Sequence, residues 1–299
     1  MKLLESYLSG FHSSYSIFDK AAALALYKHR DPFAHKGNFG HALILAGSYG
    51  KMGAAVLSAK ACLASGAGLL TTYIPACGYE IMQTSLPEAM VNIDDDEFML
   101  TGFPLHLEIF QAAGIGPGIG THQNTAALME NFIRSFHQPL VLDADALNII
   151  SQSPSLLSLI QPDTIISPHP KEFDRLFGES KNDISRFEKA KKMAVQYKII
   201  IIVKGHFTGI FKPDGNISFN TSGNAGMAKG GSGDVLTGII TALLAQSYTP
   251  VHAAGLGVYL HGYAGDLAAR LFSEEAMLAS DLIHCLGKTF LEWKTSGSN

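Results

Sequence analysis

The sequence predicts an α/β protein built on one mostly parallel, doubly wound sheet with helices on both faces. Three observations predict it. Short runs rich in β-branched residues alternate with longer helical stretches, as a parallel sheet with crossover helices requires. Residues 199–203 are apolar at every position, which suits a central strand covered on both faces. Glycine is in excess, 30 of 299 residues, and it gathers where the predicted strands end.

Taken in order, residues 1–35 stand outside this rhythm and are expected to form an N-terminal arm with a helix over 16–29. Residues 41–47 (HALILAG) are short, apolar and closed by glycine, so they read as a buried strand. Residues 53–65 are alanine-rich and helical, stopped by Gly66-Ala67-Gly68 as a C-cap and close-packing element. Residues 69–75 form a strand ended by Pro75. Residues 112–120 (AAGIGPGIG) run from a short strand into a glycine loop, and 121–136 form a helix with Thr121 as N-cap. Residues 139–147 (PLVLDADAL) are a strand whose acidic end passes into a helix, and 164–170 (TIISPHP) a strand ended by prolines. A charged helix over 183–197 precedes the strand of KIIIIVKG. A hairpin turns at Pro213-Asp214-Gly215. Helices over 232–246, 251–272 and 279–293 complete the chain. Residues 36–294 are expected to form one domain, followed by a frayed Ser/Gly-rich tail over 295–299.

Composition excludes several classes of function. Lys+Arg 22 against Asp+Glu 26 gives a net charge of −4, which argues against a non-specific nucleic-acid binder. Charged residues are only 16%, below the ~25% usual in soluble proteins. The 47% hydrophobic content supplies an ample core. No apolar run approaches the ~18 residues of a membrane span. Glu5 and Ser6 interrupt the order expected of a signal peptide. Cys62, Cys77 and Cys285 lack metal-ligand spacing, and a reduced, cytoplasmic protein is expected. Six Gly-x-Gly pairs occur, but Thr71, Ile119, Thr121, Gln123, Leu236 or Leu260 stands where the dinucleotide motif needs its third glycine. Gly287-Lys288-Thr289 resembles a P-loop end, but Leu282 replaces the leading glycine. No Gly-x-Ser-x-Gly or His-Glu-x-x-His is present.

The strongest motif runs from Met227 to Gly238, MAKGGSGDVLTG. Its glycines lead straight into a helix start, where unpaired N–H groups and the helix dipole favour an anion. Asp234 falls in the first turn. A carboxylate there can take a proton from a hydroxyl while the N–H groups hold a transferring phosphoryl group. The bland alternative is a plain turn with Asp234 as a helix stabiliser. Lys204-Gly-His-Phe-Thr208 follows a predicted strand, where ligands of open α/β sheets gather. Asp143-Ala-Asp145-Ala-Leu-Asn148 and Pro168-His-Pro-Lys-Glu172 also sit at strand ends. Their carboxylates can hold magnesium through water, and His169 can hydrogen-bond a substrate. Taken singly, Asp145 is equally a helix N-cap and His169 a proline-fixed turn residue. The loops 47–53 and 114–120 belong to the same edge.

The segments HKGNFGHALILAGSYGKMGAA, SGAGLLTTYIP, GIGPGIG, VLDADALN, SPHPKE, VKGHFT, GMAKGGSGDVLTGII and VYLHGYAGDLAA resemble, in this order, those of the NAD(P)H-hydrate dehydratases. These enzymes are related to the C-terminal domain of the YjeF protein and belong to the ribokinase-like superfamily. The likeness spans roughly residues 35–281. Two positions depart from the family pattern: Ala64 stands where a basic residue is expected, and Lys229 where a small one is usual.

The resemblance implies a three-layer α/β/α sandwich that restores hydrated NADH and NADPH (NADHX and NADPHX) at the expense of ADP or ATP. The added ring hydroxyl is phosphorylated and phosphate is then eliminated. By the same resemblance Asp234 is the base and touches the substrate. Ala42, Gly116 and His169 contact the hydrate. Lys204, Gly205, His206, Phe207, Thr208 and Gly233 contact the adenine nucleotide, and Glu172 helps place Mg2+. A homo-oligomer is implied, with no nucleic-acid or membrane partner. An NAD(P)H-hydrate epimerase, fused or separate, is implied as partner. With only about 35 residues before the match, the chain is either a stand-alone form or one part of a longer protein. Two other readings stand beside this one. A small-molecule kinase of the same superfamily would use the same GGSGD loop, and a non-catalytic nucleotide sensor would bind without turnover.

Overall fold

The computed structural model describes residues 2–104 and 106–296. Its strands are β1 (Ser16–Phe18), β2 (His41–Leu45), β3 (Leu69–Ile74), β4 (Met90–Ile93), β5 (Ala112–Ile115), β6 (Leu140–Leu142), β7 (Ile165–Ile166), β8 (Ile200–Val203), β9 (Gly209–Phe211) and β10 (Ile217–Asn220). They form one sheet in the order β1-β10-β9-β8-β7-β6-β5-β2-β3-β4. Neighbours run parallel throughout, except where β9 pairs antiparallel with β8 and β10.

The helices are α1 (Lys2–Tyr7), α2 (Lys20–Leu26), α3 (Met52–Ala64), α4 (Tyr79–Ser85), α5 (Gln123–Ser135), α6 (Asp145–Gln152), α7 (Pro170–Phe177), α8 (Asp183–Tyr197), α9 (Ser232–Ala245), α10 (Pro250–Phe272) and α11 (Ala279–Ser296). Strand periodicity sorts side chains into two cores. In β2, Ala42 and Ile44 enter one core while Leu43 and Leu45 enter the other, and all four are fully buried. The first core is closed by α2, α3, α4, α9, α10 and α11, the second by α1, α5, α6, α7 and α8. The result is the expected three-layer ribokinase-like α/β/α architecture with a mostly parallel sheet.

Helix α9 has almost no polar face. From Val235 to Ala245 every residue is buried, so the helix is enclosed between the sheet and α3, α10 and α11. Its approach to α3 depends on Gly238: a Cβ there would lie 2.1 Å from the Ser58 carbonyl oxygen.

Local expectations held or failed for identifiable reasons. The hairpin at 213–215 joins β9 to β10. The helix expected over 16–29 is replaced by β1 and the shorter α2. Ser16–Phe18 finds an open sheet edge in β10, and Asp19 caps α2 by accepting from the Ala22 N–H. The N-cap of α5 is His122, whose Nδ1 accepts from the Asn124 N–H, rather than Thr121. Asp145 is not a cap but lies inside the first turn of α6, after Ala144. The last helix runs through Ser296, so the expected tail begins as helix; residues 297–299 lie outside the described residues. Among the described residues no helix is long and apolar enough to cross a membrane.

Gly238→Ala is expected to destabilise the protein by about 1–3 kcal/mol through forced displacement of α3 from α9. Gly287→Ala, on α11 with no atom near the added methyl, is expected to leave stability unchanged or raise it by up to about 1 kcal/mol. Urea midpoints of the two variants check the pair.

Candidate active site at the carboxyl edge of the sheet

The chain leaves β2 outward to β3 and β4, whereas β5 to β8 build the other way. The strand order therefore reverses between β2 and β5, where a crevice opens beyond the carboxyl ends. Two glycine loops meet there. The Gly47 N–H donates to the Pro117 carbonyl at 2.8 Å, and Ser48 Oγ donates to the Gly118 carbonyl at 2.7 Å. Gly116 has φ +132°, and a Cβ on it would lie 1.8 Å from the Asp143 carbonyl oxygen. Only glycine lets the β5 exit pass so close to the β6 exit.

Asp143, at the end of β6, is 1% exposed. Its Oδ1 accepts from Lys204 Nζ at 2.7 Å, and its Oδ2 accepts from Thr237 Oγ1 at 3.0 Å. This carboxylate ties the end of β8 to the second turn of α9. Gly233 lies alongside, an added Cβ falling 3.4 Å from Lys204 Nζ and 3.6 Å from Asp143 Oδ2. Lys204 Nζ also faces Glu172 Oε2 at 3.9 Å. Glu172 and His169 form a capping box at the start of α7. The His169 N–H donates to Glu172 Oε2 at 2.8 Å, while His169 Nδ1 accepts from the Lys171 and Glu172 N–H groups. That leaves Nε2 to carry the ring proton, 3.3 Å from Glu172 Oε1. Burial lowers the imidazole pKa against the pull of Glu172, so the ring is neutral at neutral pH. On the other flank Asp145 Oδ2 accepts from the Gly120 N–H at 2.9 Å and pairs with Lys51 at 3.4 Å.

Asp234 stands in the first turn of α9. The N-cap is Gly231 in the left-handed region, with no side chain to satisfy the first N–H groups. Those donors and the positive end of the helix face the same space as the carboxylate. None of the described residues hydrogen-bonds that carboxylate. Burial first, then the nearby charge of Asp143, push its pKa up to about 6, although Lys204 opposes them. Asp234 lines a cleft of about 420 Å3 with Gly50, Lys51, Gly118, Gly230 and Gly231. A group that binds anions through backbone N–H therefore sits beside an unpaired base.

The residues singled out from sequence distribute unequally. Asp234, Gly233, Lys204, Gly116, His169 and Glu172 converge on this edge. Gly205 and Thr208 form the turn after β8, with Thr208 Oγ1 donating to the Gly205 carbonyl at 3.1 Å. His206 is exposed beside it, whereas Phe207 turns inward to pack on Tyr7 with ring centroids 5.4 Å apart. Ala42 is not brought to the cleft: it lies early in β2, fully buried. Two participants emerge from the structure instead: Thr237 and Lys51. Thr237 lay inside the GGSGD-containing motif and Lys51 inside the 47–53 loop. No spacing in the sequence pointed to their contacts.

Among the described residues no cluster of three or more His, Cys, Asp or Glu can enclose a metal ion. Asp143 and Glu172 retain free lone pairs beyond their present hydrogen bonds. That donor set fits magnesium held through waters and phosphate oxygens rather than in a protein cage. A second cavity of about 560 Å3 lies at the opposite ends of α3 and α9, bounded by residues including Lys28, Arg30, Ser65 and Gln246. There Arg30 donates to the Gly66 carbonyl and Lys28 to the Ser247 carbonyl, neutralising two helix C-termini. It holds none of the groups described above.

Comparisons with known proteins bear on the family and the fold. A family model described as NAD(P)H-hydrate dehydratase matches residues 42–288. A bifunctional NAD(P)H-hydrate repair enzyme of Moorella thermoacetica is 39% identical over 267 residues, 86% of this chain and 50% of the relative. The chain thus spans about half the length of the curated relatives it first matches. The crystal structure of an ADP/ATP-dependent NAD(P)H-hydrate dehydratase from Bacillus subtilis, co-crystallised with ATP/Mg2+, superposes with a TM-score of 0.82 at 31% identity, covering 94% of this chain and 100% of that one. A ribokinase-like superfamily protein from Enterococcus faecalis gives a TM-score of 0.83 at 28% identity over 94% of this chain and 99% of its own. With residues 42–288 matched, more than half its length, the chain belongs to the NAD(P)H-hydrate dehydratase family.

Proposed function

We propose that this chain restores hydrated NADH and NADPH in a reaction driven by ADP or ATP. The observation that carries the reading is Asp234: an unpaired carboxylate of raised pKa at a helix N-terminus, in a cleft walled by glycine. As a base it takes the proton of the ring hydroxyl while that oxygen attacks the terminal phosphorus of the nucleotide. The N–H groups at the start of α9 hold the charge on the transferring phosphoryl group. The hydroxyl is now a phosphate ester and a good leaving group. The ring nitrogen lone pair expels phosphate, and loss of a proton from the adjacent ring carbon restores the reduced nicotinamide.

In this reading Gly116 and His169 meet the hydrate. Lys204 to Thr208 and Gly233 meet the adenine nucleotide, with Phe207 contributing its backbone. Ala42 acts only as a core side chain of β2. Magnesium, which would neutralise nucleotide phosphate charge, would be held through its waters by Glu172 and Asp143. The reading includes a homo-oligomer and an epimerase, fused or separate, acting on the same hydrates.

Incubation of hydrated NADH with ADP or ATP and magnesium is expected to restore the near-ultraviolet absorbance of the reduced nicotinamide. No recovery with either nucleotide would reject the reading, and a stable phosphorylated product would favour the kinase alternative. Asp234→Asn is expected to lose on the order of 10²–10⁴ in kcat. The same variant should retain its fold and show an equal or higher urea midpoint at pH 7. The sign follows from the raised pKa: it favours the folded state while Asp234 is protonated, and that advantage is lost as pH rises through about 6. Because the base must be ionised, kcat/KM of the wild-type protein should fall as pH drops below about 6. A flat profile from pH 5 to 8 would remove Asp234 from that role.

A further inference from the structure

The segment VYLHGYAGDLAA of α10 plays no part in the chemistry above, yet its inner face is applied to the chain that leads into α9. Five residues of α10 make the contact: Tyr259, His261, Gly262, Gly265 and Asp266. Asp266 accepts from the Gly223 N–H through Oδ2 and from Asn224 Nδ2 through Oδ1, each at 3.0 Å. Asn224 in turn accepts from the Gly226 N–H at 3.0 Å and caps the short turn Ala225–Met227. Gly262 and Gly265 are hollows. A Cβ on the first would lie 2.3 Å from Ser222 Oγ, and one on the second 2.3 Å from Met227 Sδ. Ser222 Oγ also donates to the Tyr259 carbonyl at 3.1 Å. At the far end His261 Nε2 donates to the Ser232 carbonyl at 2.8 Å. Burial pulls the imidazole pKa down to about 4, against the pull of that hydrogen bond, so the ring is a neutral single donor.

The anion-facing residues 230–233 are therefore suspended between fixed points. Asp266 holds the segment where it enters, and His261 holds it where α9 begins. Lys229 is turned away from the cleft, its ammonium donating to the Glu275 and Met277 carbonyls beyond α10. Gly230 itself has no atom within 4 Å of an added Cβ. Within the loop the Ser232 N–H donates back to the Lys229 carbonyl at 3.4 Å, and Gly230 stays open on one side while α10 grips the segment on the other.

We propose that His261 and Asp266 are positioning residues for nucleotide binding: α10 is the template on which segment 222–232 takes the shape that receives phosphate. The proposal rests on the nucleotide-dependent reading above. Removing either hold costs hydrogen bonds to the loop but touches no reacting atom. The loss should therefore fall on nucleotide affinity.

The test compares His261→Leu, His261→Gln, Asp266→Ala and Asp266→Asn with the wild-type protein. ADP binding is read by calorimetry, KM and kcat by steady-state kinetics, and folding by urea midpoint. His261→Leu and Asp266→Ala are expected to weaken ADP binding about tenfold, as loss of one or two supporting hydrogen bonds would. The hydrate KM should stay within about twofold of wild type. His261→Gln places an amide N–H where Nε2 stood and should recover most of the affinity; Asp266→Asn keeps one acceptor but turns an N–H toward the other donor, and should recover only part of it. A merely structural role would lower the urea midpoint and the active fraction while leaving the ADP Kd of the folded protein unchanged. Unchanged Kd in folded His261→Leu and Asp266→Ala would overturn the proposal. Wild-type protein that binds ADP but restores no cofactor would overturn the functional reading alone, and the Kd comparison would still decide this one. Wild-type protein that binds neither ADP nor ATP would overturn both.

Discussion

The site depends on one constraint: α9 has no polar side to give to water. With every residue from Val235 to Ala245 buried, it can only lie enclosed between sheet and helices. Enclosure fixes its axis, and the axis aims its first N–H groups at the gap between β2 and β5. Gly238 against Ser58 and Gly114 against Thr241 show how tight the enclosure is. The anion-binding end is thus set by packing along the whole helix rather than by the loop that precedes it.

Within that frame the buried carboxylate of Asp143 organises the charges. An ion pair whose carboxylate is buried, with its lysine partly exposed, gains little net stability, because desolvation offsets the attraction. Its value is geometric: Asp143 places Lys204 beside Gly233 and braces Thr237 on α9. Its charge also adds to the effect of burial in pushing the pKa of Asp234 up to about 6, which suits the proton-accepting role proposed for that group. The same arrangement makes the folded protein less stable at neutral pH than it would be with a neutral side chain at 234.

Scarce charge and abundant glycine are two aspects of one design. In the proposed reading the cleft meets an anion mainly with backbone N–H groups at the start of α9 and with glycine loops that admit close approach. Few lysines are then needed, and those near the cleft already have protein partners. Lys204 is held by Asp143 and Glu172, Lys51 by Asp145, and Lys229 by carbonyls beyond α10. A net charge of −4 is compatible with an anionic substrate on these terms.

Much of this could be read before any coordinates. Apolar runs ended by glycine or proline located most of the strands, because a two-sided burial demand leaves that mark on local composition. Asp234 and its glycines could be read for the same reason, since a helix start that binds anions is encoded in a few adjacent residues. The exceptions share one cause. Ser16–Phe18 became a strand because β10, two hundred residues on, offered an edge. The Phe207 side chain points inward because Tyr7 offered a ring, and the Ala42 side chain is core because β2 exits the sheet four residues later. Thr237, Lys51, His261 and Asp266 owe their roles to partners distant in the chain. Local composition specified which groups could do chemistry; the distances between them were set by packing between segments far apart in sequence, which no short window of residues contains.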